Sequence, residues 1–165
     1  MSDWDLIVRT HGQLVFGTAW RILGHVADTE DVVQEVFLEA YRMREKETVR
    51  NWGGFLRRMA TFRALDRLRD RKPTVPLEGL RLVESGGDPE AEAVGKELRE
   101  RLRQALGELP PREAAVFCLR YFEDLSNQEI SDQLDISPGA VAQALHKARA
   151  KLEDRLENVL QGEES

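Results

Sequence analysis

Cysteine is almost absent from this 165-residue chain. The single one, Cys118, cannot form an internal disulfide and cannot build a zinc site on thiolates. It lies in the apolar run Ala114–Leu119, the place of a buried thiol in a reducing compartment. No stretch of eighteen apolar residues occurs, so no membrane insertion is expected. The opening MSDWDLIVRT is acidic and lacks the basic-then-apolar order of a secretory leader. Histidine is scarce as well. His11, His25 and His146 stand far apart and without metal-ligand spacing. There is no phosphate loop and no nucleophile motif. No enzyme activity, metal or cofactor is therefore expected. Strand patterns and internal repeats are also missing.

An excess of positive charge is missing too: the net charge is −6, which argues against a general binder of nucleic acid. The distribution says more than the sum. Positions 50–72 carry eight basic and two acidic residues, while the segments on both sides are net acidic. One basic segment thus stands in an acidic chain. The 41% apolar and 33% charged content suits a soluble, helix-rich protein, and the length allows one domain or two small ones.

The chain reads as helices throughout. Trp4 to Leu23 has helical apolar spacing and is ended by Gly24. Asp28 is placed to cap a second helix, whose inward stripe is Val32, Val33, Val36, Phe37, Ala40 and Tyr41. Its other face carries Asp31, Gln34, Glu35 and Glu39, a solvated face or a docking face. Met43 to Gly54 reads as a loop, since Gly53-Gly54 breaks a helix. A third helix, about Phe55 to Arg71, bears six arginines, with Trp52, Phe55 and Phe62 nearby. Guanidinium groups can hold phosphates and rings can stack on unpaired bases. The other reading is a core helix with a basic rim and Phe62 in the core. Pro73 to Ala93 loses all periodicity and reads as an acidic linker. Val94, Leu98, Leu102, Ala105 and Leu109 then mark a helix ending near Pro110-Pro111, and Pro111 opens another. The expected organisation is all-α: two small helical domains, 1–72 and 94–160, joined by a linker over 73–93.

The most patterned stretch is LSNQEISDQLDISPGAVAQALHKARAKL, Leu125–Leu152. Ser126 and Glu129 make a capping box. Asp135 stands where the chain must turn through a left-handed backbone. Ser137 caps a second helix with Pro138 at its first position. Val141, Leu145, Ala148 and Leu152 point inward; Gly139, Gln143, His146, Lys147 and Ala150 point outward. This spacing fits a helix-turn-helix whose second helix enters the DNA major groove, and also an ordinary helical hairpin.

Three segments in order carry a resemblance: DTEDVVQEVFLEAYR (Asp28–Arg42), FLRRMATFRALDRLRDR (Phe55–Arg71) and LGELPPREAAVFCLRYFEDLSNQEISDQLDISPGAVAQALHKARAKL (Leu106–Leu152). Over about Leu6 to Leu156 the chain resembles bacterial extracytoplasmic-function (ECF) sigma factors. That family has two helical domains, region 2 and region 4, joined by a flexible linker. The resemblance implies cytoplasmic action with core RNA polymerase and promoter DNA as partners, and an anti-sigma factor as the usual controlling partner. It implies that Asp31, Gln34, Glu35 and Phe37 contact the clamp helices of the β′ subunit. The loop Met43–Trp52 would receive a flipped base of the minus-ten element. Asn51, Trp52, Arg57, Arg58, Phe62 and Arg63 would hold that element and the melted strand. Ser137, Gln143, His146, Lys147 and Arg149 would face the minus-thirty-five element. Apolar surface near Phe122 would meet the β-subunit flap.

The chain departs from the family pattern in places. Ala140, Ala142 and Ala144 stand where the family often has Thr, Lys and Arg, which removes hydrogen-bonding and phosphate-contacting groups. Phe62 stands where it often has Asn, and Phe55 where it often has Trp. Three functions follow in order: a working sigma subunit, a sigma-like adaptor that binds polymerase or an anti-sigma factor without reading promoters, and a stand-alone helix-turn-helix repressor.

Overall fold

The computed structural model of the chain describes residues 2–46, 48–71 and 89–163. Among them are seven helices and no strand: α1 (Asp3–Leu23), α2 (Val26–Met43), α3 (Trp52–Asp70), α4 (Pro89–Glu108), α5 (Pro111–Tyr121), α6 (Asn127–Leu134) and α7 (Pro138–Glu163). None is long and apolar enough to cross a membrane.

Local chemistry sets the boundaries. Ser2 and Asp5 form a capping box on α1, and Gly24 ends it with a φ of 62°. The left-handed turn at Gly24 lets α2 begin at once, at Val26, with His25 in the capping position. Asp28 is therefore not the cap expected from the sequence; it lies in the first turn, where the helix dipole favours it. Gly53-Gly54 does not break the chain either. Asn51 Oδ1 accepts the Gly54 N–H at 3.0 Å, so the glycines occupy the first turn of α3. α4 begins at Pro89 rather than Val94, so the last positions given to the linker are helical. The rest of that linker lies outside the described residues. The projecting first half of α4 leaves Val94 and Leu98 exposed, though their spacing placed them in the stripe.

The helix-turn-helix forms as its sequence indicates. Ser126 Oγ accepts from Glu129 N at 3.1 Å and the Glu129 carboxylate accepts from Ser126 N at 3.0 Å. Asp135 takes φ 54° at the turn, and Ser137 Oγ accepts from Ala140 N at 3.0 Å. Val116, Leu119, Leu125, Ile130, Leu134, Val141, Ala144 and Leu145 form its buried cluster.

α1, α2 and α3 pack on one another, and α4, α5 and α6 pack around α7 or its neighbours. The helix between these two groups is α3, which meets α1, α2, α4, α5 and α6. Its buried residues run round the helix, from Leu56 and Ala60 to Thr61, Ala64, Leu65 and Leu68, as a helix packed on several sides requires. The main buried cluster accordingly crosses between the groups. It joins Val15, Ile22, Val36, Leu56 and Leu65 to Leu106, Leu109, Ala115 and Leu152.

Candidate docking and nucleic-acid interfaces

The acidic face of α2 is built at helical spacing. Asp31, Gln34, Glu35 and Leu38 are all exposed and recur at steps of three, one and three along one side. Leu38 is 52% exposed, an apolar side chain amid the acids. The sequence carried that signal, since Leu38 falls outside the inward stripe. Phe37 does not share this face. It is half-buried, edge-on to Trp4 at 6.3 Å.

The acids are also held from below. Arg67 on α3 reaches Asp31 at 2.5 Å, Glu35 at 3.8 Å and Asp28 at 3.9 Å. Arg63 pairs with Glu39, whose hydrogen bond raises the guanidinium above its already high value against the opposing effect of burial. Asp31 and Glu35 remain about half exposed, so each pair is worth roughly 0–1 kcal/mol in water. Their effect is to fix where the carboxylates point and to mute their field.

The arginines of α3 therefore do not act as one surface. Arg63 and Arg67 face α2. Arg71 donates to Leu23 O and to Asp28, both at 3.0 Å. Arg57, Arg58 and Phe62 face the helix-turn-helix. Arg58 Nη1 donates to the Gln133 carbonyl at 3.4 Å, and Phe62 packs against both buried clusters. Arg63 is thus separated from the two arginines with which the sequence grouped it. Phe62 is thus half-buried between the two clusters.

Asn51 and Trp52 stand at the end of the loop between α2 and α3. Asn51 is exposed while its side chain caps α3. Trp52 belongs to a ring cluster that sequence spacing did not reveal. Trp4 meets Trp52 at 5.9 Å and Tyr41 at 5.3 Å, and Trp52 meets Phe55 at 5.8 Å. Arg44 lies over the Tyr41 ring at 3.5 Å. The N-terminal helix thereby ties both ends of the loop.

On α7, Gln143, His146 and Lys147 are exposed, and among the described residues none has a partner. Arg149 flanks them with its guanidinium 5.1 Å over the Tyr121 ring. Ser137 is exposed, but its oxygen already accepts the capping bond. The three alanines are not equivalent. Ala142 is exposed, Ala140 half-buried, and Ala144 is buried in the helix-turn-helix cluster. Ala144 is a packing residue, so no arginine is missing from the outer face there. Phe122 is half-buried against Phe117; the exposed ring beside it is Tyr121. Burial pushes the Cys118 thiol far up, which leaves it inert. No three metal-ligating side chains gather among the described residues.

Comparison with known proteins matches residues 7–74 to sigma-70 region 2 and residues 99–152 to sigma-70 region 4. The ECF RNA polymerase sigma factor SigW of Bacillus subtilis is 32% identical, covering 93% of this chain and 88% of its own length. SigE of Mycolicibacterium smegmatis is also 32% identical over 94% of this chain, which spans 62% of that longer protein. The RNA polymerase sigma-E factor of Streptomyces coelicolor is 30% identical over 93% of this chain and 86% of its own. Among solved structures, CnrH in complex with the cytosolic domain of CnrY shares the fold, with a TM-score of 0.62 at 22% identity over 94% of this chain and 88% of that one. The extracytoplasmic function sigma factor SigJ of Mycobacterium tuberculosis gives 0.51 at 25% identity over 93% of this chain and 54% of its own.

Proposed function

The chain belongs to the extracytoplasmic-function sigma factors of bacterial RNA polymerase, and from that premise we propose how its surfaces divide the work of a promoter-directing sigma subunit. The Asp31–Gln34–Glu35–Leu38 face docks on the clamp helices of the β′ subunit. Acids complement a basic surface, and Leu38 supplies apolar area at the centre of the contact. The loop between α2 and α3, with Asn51 and Trp52, takes a flipped minus-ten base, and Arg57 and Arg58 hold the opened strand. Gln143, His146 and Lys147 read the minus-thirty-five element in the major groove, flanked by Arg149 and Ser137. Tyr121 and Phe122 offer aromatic surface to the β flap. The site of action is the cytoplasm, where polymerase and DNA are. An anti-sigma factor controls access to it; the similar CnrH is itself found in complex with another protein's cytosolic domain, that of CnrY.

The observation that carries this reading is the row on α7. Three polar side chains stand free on the second helix of a well-capped helix-turn-helix, on a chain otherwise too acidic to bind DNA unaided. The test is holoenzyme binding to selected promoters at several salt concentrations. Gln143→Ala should lose about 1–3 kcal/mol of discrimination at one base pair. Lys147→Ala should lower affinity for all sequences and reduce the salt slope by about 1. If neither changes binding, while Arg57→Ala still abolishes open-complex formation, region 4 does not read DNA here. If no promoter can be selected although core polymerase is bound, the adaptor reading replaces this one.

A further inference from the structure

Helix α7 carries four basic side chains between positions 147 and 155: Lys147, Arg149, Lys151 and Arg155. Their surroundings differ in kind. Lys151 Nζ donates to Glu113 on α5 at 2.8 Å, and Arg155 pairs with Glu108 at the end of α4. Those two charges are met by carboxylates. Arg149 is met by a ring instead. Its guanidinium lies 5.1 Å from the centre of the Tyr121 ring, at the end of α5. Among the described residues it has no carboxylate partner, although Glu153 stands four positions on, at the spacing of an ion pair along one helix face.

The difference decides what is left for DNA. A carboxylate takes up the N–H groups of a cation and cancels its charge. A ring face attracts the cation through its quadrupole. It leaves the planar fork of N–H groups free to donate to a phosphate. The contact also restrains a side chain whose rotamer freedom would otherwise be lost on binding, at a cost in affinity. Position matters as well. Arg149 follows His146 by three residues, so it stands one turn on at the edge of the exposed row. The ring is itself held, since Phe117 meets it at 4.8 Å and packs against both buried clusters. The other charge beside the ring is Arg120 at 5.8 Å, a like charge that cannot neutralise Arg149.

We propose that Tyr121 is a positioning residue for the upstream element: its ring holds the Arg149 guanidinium at the edge of the α7 row, committed to no carboxylate and open to one backbone phosphate. The proposal rests on the DNA role given above to Arg149. It gives Tyr121 a task beside the one toward the β flap. Without the ring, the guanidinium is free to turn to Glu153, where its charge is lost to DNA.

The test is binding of the holoenzyme to one duplex promoter, selected with the wild type, at several salt concentrations. The variants are Arg149→Ala, Tyr121→Phe, Tyr121→Leu, and Tyr121→Leu combined with Arg149→Ala. Arg149→Ala should make the salt slope shallower by about 1 and weaken binding about tenfold at low salt. Tyr121→Phe keeps the ring face and should keep the wild-type slope. Tyr121→Leu keeps apolar packing on Phe117 without a ring face. It should weaken binding about threefold, the size of an exposed cation–ring contact, with a shallower slope. That loss should vanish when residue 149 is alanine. A flap contribution of Tyr121 is the same with and without Arg149, so the four-way comparison cancels it. If Arg149→Ala weakens binding but Tyr121→Leu does not, or costs the same in both backgrounds, the positioning role is overturned while Arg149 keeps its DNA contact. A Tyr121→Phe variant as weak as Tyr121→Leu overturns it too, because the ring face is then not what acts. If Arg149→Ala changes nothing, or no promoter can be selected, the DNA role of Arg149 falls and the inference falls with it.

Discussion

A docking face is made of individual charges, and here those charges are not independent of the fold. Asp31 and Glu35 each share Arg67, so reversing both to arginine would put three guanidinium groups together. That double variant should lose several kcal/mol of polymerase affinity, and also some stability. Leu38→Ala separates the two effects, because Leu38 is half exposed and carries no charge. It should leave the melting temperature within about 2 °C, as surface changes do, and weaken core-polymerase binding by about 1 kcal/mol or more. Unchanged affinity, measured by titration against core polymerase, would remove Leu38 from the interface. Gly24 shows another residue-scale dependence. A side chain there is strained at φ 62°, which costs about 1–2 kcal/mol, and it also displaces Arg103. From sequence, the glycine was legible as a helix stop. Its second use, as a seat for an arginine 79 positions onward, has no local signature.

Elements were most legible where their ends are fixed by side chains close in sequence. The α6–α7 pair was readable nearly to the residue, because Ser126, Glu129, Asp135, Ser137 and Pro138 act within a few positions. α2 and α3 were misplaced at their starts because competing local signals were present. Asp28 is a good cap that is not used as one, and Gly53-Gly54 looks like a break but lies in a turn that Asn51 caps. The capping box makes a pH prediction. The hydrogen bonds from Ser126 hold the Glu129 carboxyl below its ordinary value of 4.5. A depressed carboxyl stabilises the fold above its unfolded value and loses that contribution as pH falls through the folded one. Acid titration of thermal stability should therefore show a loss beginning below about pH 4.5 that Glu129→Gln no longer shows. Ser126→Ala should cost about 1 kcal/mol at neutral pH. A second element-scale prediction concerns α1. Trp4 makes three edge-on ring contacts, each worth about 0.5–1.5 kcal/mol beyond its area. Trp4→Ala should lower stability by about 2–3 kcal/mol. It should also weaken minus-ten selectivity in the holoenzyme, since both ends of the α2–α3 loop lose their anchor. Intact selectivity in the destabilised variant would show that the loop is positioned without α1.

At the scale of the whole molecule, an apolar stripe says that a face is buried but not against what. The sequence reading divides the chain where periodicity fails, over Pro73–Ala93. That the two helical groups share a core was not readable, since Leu65, Leu68, Leu106 and Leu109 would read the same in two separate domains. The one available hint was α3, whose apolar residues surround the helix where a single-domain amphipath needs one side. A shared core has a consequence for stability. If α3 and α4 are buried against each other, neither group is complete alone, and the free chain should unfold in urea as one cooperative transition. Leu106 is fully buried in the cluster that spans both groups. Leu106→Ala should cost about 2–5 kcal/mol, and because the contact it weakens joins the groups, it should also split the transition. The C-terminal group, which contains residue 106, would then melt first, while the α1–α3 group keeps its own midpoint. Tryptophan fluorescence separates the two events, since Trp4, Trp20 and Trp52 all lie in the first group, whereas far-ultraviolet circular dichroism follows both. Coincident curves for wild type and divergent curves for the variant are the expected result. Divergent curves already in the wild type would mean that the two groups fold independently and that the contact between them adds no cooperativity.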